Sequence, residues 1–143
     1  MMNTYIGTKI IRATPMTRAY YNGVRGWQVP ADENPLDDGY LVEYLDGGKP
    51  NVPGYEGYIS WSPKAQFEAA YTEIPNTETM QHAYQVRIAA EKAELDKKRS
   101  KLITFIQSAA FEALDTQERG RLTRQLTIMD DYSAVLGERL CAF

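Results

Sequence analysis

Composition changes abruptly at Thr77, and that break limits the folds open to the chain. Beyond it there is no proline, and the only glycines are Gly120 and Gly137. Helix formers fill the segment, and two apolar repeats run through it. Ile88, Leu95, Leu102 and Ala109 recur every seven residues, with Tyr84, Phe105 and Ile106 close to that seam. Leu122, Met129, Leu136 and Phe143 form the second repeat, with Leu126, Ser133 and Leu140 between them. Two narrow seams joined by a short connection predict an antiparallel helical hairpin. Asp115-Thr-Gln-Glu118 has the form of a capping box opening the second helix. Phe111 and Leu114, in the connection, are placed to plug the end of the hairpin.

The first seventy or so residues follow a different grammar. Tyr5 to Ala13, Gly39 to Tyr44 and Gly57 to Trp61 read as strands, with a turn signal at Asp46-Gly-Gly48. Thr17 is a cap candidate for a short helix over Arg18 to Asn22. Ser62, followed by Pro63 at the first helical position, predicts another helix running to about Tyr71. The expected architecture is α+β. A small antiparallel β unit with short helices spans 1–74, and a helical hairpin that oligomerises spans 75–143.

Self-association follows from size. Ordering the hairpin costs on the order of 100 kcal/mol of conformational entropy. Each large apolar side chain that is buried returns roughly 1.5–3 kcal/mol. About a dozen seam residues do not suffice, so a partner is expected, either the N-terminal half or a second copy. Tyr84, Val86, Val135 and Phe143 widen the apolar surface beyond one stripe, which favours a second copy.

A formal charge of −3 argues against wrapping long nucleic acid. It leaves open a small ligand with two or three phosphates. No apolar run reaches membrane-spanning length and no signal-peptide core is present, so a cytosolic protein is expected. One cysteine, Cys141, precludes an internal disulfide framework. His82 has no companion ligands at metal-binding spacing and reads as a surface or interface residue. Asp32, Glu33, Asp37 and Asp38 make an acidic cluster that reads as a solvated loop, with a divalent-cation site as the alternative. No nucleophile elbow, phosphate-loop glycine pattern or dinucleotide fingerprint occurs. No cofactor is expected.

The basic residues of the second half admit two readings. Lys97, Lys98, Arg99 and Lys101 follow Tyr84 by about four turns, Arg87 by nearly one, and Arg119, Arg121 and Arg124 cluster on the second helix. One reading is a solvated face balanced by Glu91, Glu94 and Asp96. The other is a phosphate-binding surface with an aromatic platform. Stacking a base on a ring is worth about 1–3 kcal/mol, and a cation on a phosphate roughly 1.5–3 kcal/mol. A two-fold dimer presents each group twice, matching a cyclic dinucleotide with two bases and two phosphates.

The stretches Tyr84 to Lys98, Lys101 to Ile106, Phe111 to Leu114 and Gln125 to Arg139 resemble the phage anti-CBASS cyclic-oligonucleotide sponges. That resemblance implies a hexamer assembled from dimers in the cytoplasm of an infected bacterium. It implies capture of cyclic dinucleotides such as 3′,3′-cGAMP between paired protomers, binding of cyclic trinucleotides at separate sites, and cleavage of neither. It further implies Tyr84 as the stacking ring, Lys98 or Arg99 as the phosphate cation, and Arg139 as the trinucleotide contact; Arg87, nearly one turn after Tyr84, is a further dinucleotide-binding candidate from its position alone. The N-terminal half, through Tyr5 to Lys9, Pro15 to Thr17, Arg25-Gly-Trp27, Gly39 to Tyr44, Gly47 to Asn51 and Gly57 to Lys64, resembles a small module common in phage proteins. Arg25, Trp27, Lys49 and Lys64 are its pocket candidates. Turn and core requirements are the alternative explanation of the same pattern.

Overall fold

A computed structural model describes residues 1–143 and divides the chain into two compact units, Met1–Tyr71 and Thr72–Phe143. The first unit is a three-stranded antiparallel sheet in the order β1 (Arg12–Pro15), β2 (Gly39–Tyr44), β3 (Tyr58–Pro63). Alternation along β2 separates two faces. Leu41 pairs with Trp61 and Glu43 with Ile59 on one face. There Tyr21, from helix α1 (Arg18–Arg25), buries against Leu41 and Ile59. On the other face Phe67, from helix α2 (Lys64–Ala70), stacks on Tyr40 with ring centroids 4.1 Å apart. The sheet is therefore covered by one short helix on each side.

Polar side chains close what the short strands leave open. Asn51 donates to the Ile59 carbonyl (2.9 Å) and accepts from the Ile59 N–H (2.8 Å), occupying the outer edge of β3 as a further strand would. Buried Glu43 accepts from the N–H groups of Glu56 (2.7 Å) and Gly57 (3.0 Å), tying the β2–β3 connection to the sheet. Trp61 Nε1 donates to the Met16 carbonyl at 3.0 Å. Arg18 lies over the Trp61 ring and pairs with Glu33 (2.7 Å) and Asp37 (3.4 Å). Two of the four acidic loop residues are thus counter-ions of a half-buried arginine, not members of a freely solvated loop.

Three local expectations shift. Residues 5–11 do not join the sheet: the pairing of β1 with β2 starts at Arg12↔Glu43, and for residues 5–10 β2, which ends at Tyr44, has no residue left to oppose them. Thr17 caps α1 as expected, accepting from Tyr20 N–H, but the helix runs on to Arg25. The second short helix begins one residue late, with Pro63 in the cap position and Ser62 still in β3.

The second unit opens with a strap, residues 72–82, containing a single 3₁₀ turn at Thr77–Thr79. Helix α3 (Ala83–Ile106), the short α4 (Ala109–Glu112) and α5 (Thr116–Cys141) then form the hairpin. Thr77 caps no long helix. α3 begins at His82, whose N–H donates to Gln85 Oε1 at 2.9 Å. α3 also stops short of Ala109, which is exposed: the Ser108 hydroxyl accepts from Phe111 N–H and starts α4 instead. Phe111 is buried edge-on to Phe105 and plugs the closed end. Asp115 caps α5 through Glu118 N–H at 2.9 Å, although the Glu118 carboxylate turns to Arg121.

The interface between α3 and α5 is half polar. Ile88 and Leu136 are buried in it, but the alternate column of α3 is Gln85, Lys92 and Arg99. Lys92 Nζ bonds Asp96 (2.7 Å) and Ser133 Oγ (2.8 Å), and Ser133 Oγ donates to Asp96 at 2.6 Å. Arg99 pairs with Asp130, and the Tyr132 hydroxyl with Glu91. For Asp96, burial opposes ionisation, but the bonds from Lys92 and Ser133 and the charges of Lys92 and Arg99 outweigh it. Its carboxyl titrates below the usual carboxylate range.

Two predictions follow the geometry. A Cβ at Gly57 would overlap the Tyr44 carbonyl oxygen; Gly57→Ala should destabilise the first unit by about 1–3 kcal/mol, read as a lowered denaturant midpoint. Because the folded pKa of Asp96 lies below its unfolded value, its ionisation stabilises the hairpin above about pH 4 and that contribution fades at lower pH. Melting temperature should therefore fall on acidification, and Asp96→Asn should flatten that fall; an identical slope in the variant would refute the assignment.

Candidate functional site

At the open end of the hairpin the strap, the start of α3 and the end of α5 enclose a groove of about 820 Å³. Lys97 Nζ donates to Thr72 Oγ1 (3.1 Å), which fixes the beginning of the strap beside the middle of α3. From there the strap runs back to His82 and forms the outer wall. Gln85, Lys92 and Asp96 contribute polar atoms to the lining, and Met80, Ala89 and Ala93 apolar ones. At the mouth, Tyr84 is stacked beside His82 (5.6 Å) and meets Phe143 edge-on (5.5 Å). Tyr84 is 46 % exposed, so its ring is available to a ligand.

The pairs Tyr84–Phe143, Glu91–Tyr132 and Lys92–Ser133 set the register of the two antiparallel helices. Continuing that register at 3.6 residues per turn sets Arg87 opposite Arg139. Both are exposed, and neither has an ion pair within the chain. On the same flank α5 displays Ile128, Tyr132 and Val135, 55 %, 43 % and 49 % exposed, at the i, i+4, i+7 spacing of a single stripe. Lys98 also falls on this flank, about 21 Å along α3 from Tyr84; it is exposed and pairs with Glu94 at 3.6 Å. Arg99 lies at the interface and is held by Asp130. Tyr84, Arg87, Lys98 and Arg139 thus share one flank of the hairpin, and Arg99 does not. The groove, Lys92 and Asp96 were not singled out from the sequence. Their signal was the seven-residue spacing of Gln85, Lys92 and Arg99.

In the first unit Arg25 stacks over the Trp27 ring at 4.0 Å and donates to the Tyr21 hydroxyl at 3.2 Å. Lys64 lines a separate depression of about 280 Å³ with Thr17, Asp38 and Tyr40. Lys49 is exposed in the β2–β3 connection. The depression touches none of Arg25, Trp27 and Lys49. No helix in either unit is long and apolar enough to cross a membrane.

No curated protein and no solved structure matches the chain. A family model described as Sequestin matches residues 82–142, which run from the cap of α3 to the end of α5.

Proposed function

We propose that the hairpin captures cyclic oligonucleotides, 3′,3′-cGAMP among them, and holds them without cleavage at a surface completed by further copies of the chain. In an infected bacterium this would remove the second messengers of a nucleotide-based defence. The Sequestin match supports a sequestering role and covers all of α3 and α5. The observation that carries the reading is the single flank on which an exposed ring, Tyr84, and two unpaired guanidinium groups, Arg87 and Arg139, border an apolar stripe. A contiguous exposed apolar stripe of this kind marks an interaction surface. A second copy is the natural partner, since it doubles one ring and its cations into the pattern of a cyclic dinucleotide. The resemblance to the sponges extends this pairing to a hexamer, with Lys98 as the phosphate cation and Arg139 as the contact for trinucleotides.

Capture without chemistry has a direct readout. Incubation with 3′,3′-cGAMP should deplete the free nucleotide, and heat denaturation should return it intact; recovery of a linear product would make the protein a phosphodiesterase. Tyr84→Ala should weaken uptake about tenfold or more, as the loss of one stacked base requires, with the oligomer preserved. Introducing charge into the stripe, by Ile128→Glu with Val135→Glu, should lower the mass in solution while leaving helicity intact. A native chain that is monomeric at every concentration would end the proposal of a shared site.

A further inference from the structure

Residues 5–11 carry the side-chain pattern of a strand, yet the chain gives residues 5–10 no strand to pair with. They lead directly into β1, which is an outer strand of the sheet and exposed along its length. Asn51 covers the opposite edge, at β3; the edge of β1 has no such cover. Upstream of β1 the chain keeps the same line. Lys9 bonds Asp46 at 2.6 Å, which continues the register of Arg12↔Glu43 past the end of β2. Beyond that anchor the arm is open: Tyr5 and Ile6 are 84 % and 87 % exposed, and Ile10, next to Lys9, is 47 % exposed. An uncovered edge continued by an exposed apolar arm is a template for pairing with another chain.

We propose that this arm pairs antiparallel with the arm of a second copy, joining the two sheets edge to edge about a two-fold axis. The arm's own sequence identifies that occupant. Opposed residues in an antiparallel pair alternate between hydrogen-bonded and non-bonded positions. Two identical strands related by a two-fold axis must therefore centre on one residue that faces its own copy. Thr8 is the residue that fits. It sets Ile6 opposite the partner's Ile10 and Tyr5 opposite the partner's Ile11, and threonine against threonine is itself a favourable pair. Gly7 falls opposite the partner's Lys9 and brings no side chain against it. Centring on Gly7 instead would set Tyr5 against a lysine and Ile6 against a threonine. Centring on Lys9 would set two ammonium groups face to face, which is destabilising. The contact is separate from the α5 stripe and does not depend on nucleotide capture. A chain with two distinct two-fold contacts links copies beyond a pair.

Disulfide trapping in the full-length protein tests the register, with Cys141→Ser removing the native thiol. Directly opposed Cβ atoms lie about 4.5–5.5 Å apart, near the span of a disulfide. On mild oxidation Thr8→Cys should therefore convert most of the chain to a covalent dimer. Ile6→Cys and Ile10→Cys each fall on the order of 13 Å from their own copies. Either alone should stay unlinked, and an equimolar mixture of the two should link. Charge gives a second readout. Ile6→Lys with Ile10→Lys opposes like charges and should lower the mass in solution, with circular dichroism unchanged; Ile6→Lys with Ile10→Glu should restore the mass. A Thr8→Cys chain that stays unlinked would overturn the pairing. So would equal linking at all three positions, or a Lys/Glu variant no heavier than the Lys/Lys one.

Discussion

Two helices joined by a short connection share one interface, and here half of that interface is polar. Each helix presents two columns to its neighbour. α3 gives one column to Ile88, Leu95 and Leu102 and the other to Gln85, Lys92 and Arg99. Burying Lys92 and Asp96 against Ser133 costs desolvation that their mutual bonds roughly offset, so the network adds little net stability. What it adds is registry. Sliding α5 by one turn would leave the Lys92–Asp96 pair intact on α3 but take Ser133 from both, removing one acceptor from the ammonium and one donor from the carboxylate. Few side chains are left to supply apolar stabilisation, and that deficit makes the outer stripe of α5 consequential.

The first unit solves the same problem of size by other means. Its aromatic and glycine residues are consumed by the fold. Gly39 lets the Trp61 ring lie against β2, where a Cβ would collide with it, and Gly57 lets the connection approach Tyr44. Tyr21, Tyr40, Tyr55 and Trp61 pack on one face of the sheet or the other. Asn51 blocks an edge that would otherwise invite another strand. Of the residues marked there as pocket candidates, Trp27 with Arg25 is the one exposed aromatic–cation pair, and the core does not account for its exposure.

Much of this was legible in the sequence because it rests on local pattern. The change at Thr77, the seven-residue recurrence of leucines and the Asp115 cap each depend on a few neighbouring residues, and the two long helices follow. β2 was legible to the residue, since Gly39 and the Asp46-Gly-Gly48 turn bracket it. What failed depended on residues far apart. Tyr5 to Ile10 have no strand to pair with, a fact set by where β2 ends, and the pairing itself starts only at Arg12. Ala109 fits the apolar repeat, yet the Ser108 hydroxyl outcompetes helix continuation. The groove was hidden for a similar reason. Lys92 and Asp96 look like an ordinary i, i+4 surface pair until Ser133, thirty-seven residues beyond Asp96, closes over them.

Charge pairing decides which cations remain for a ligand in a chain that is acidic overall. Arg99 is held by Asp130, and the neighbouring Asp96 further favours its charged form. Releasing it would leave Asp130 and the hairpin interface to be repaired. Lys98 is tied only to Glu94, at 3.6 Å on an open helix face, where such pairs are worth about 0–1 kcal/mol. A phosphate offering a charge-assisted bond of roughly 1.5–3 kcal/mol displaces that carboxylate at small cost. Of the two residues at this point on α3, Lys98 is therefore the one free to serve as the proposed phosphate contact. Arg87 and Arg139 need no displacement at all. The proposed anion binding thus rests on the few cations that the hairpin's own carboxylates leave unclaimed, not on any excess of positive charge.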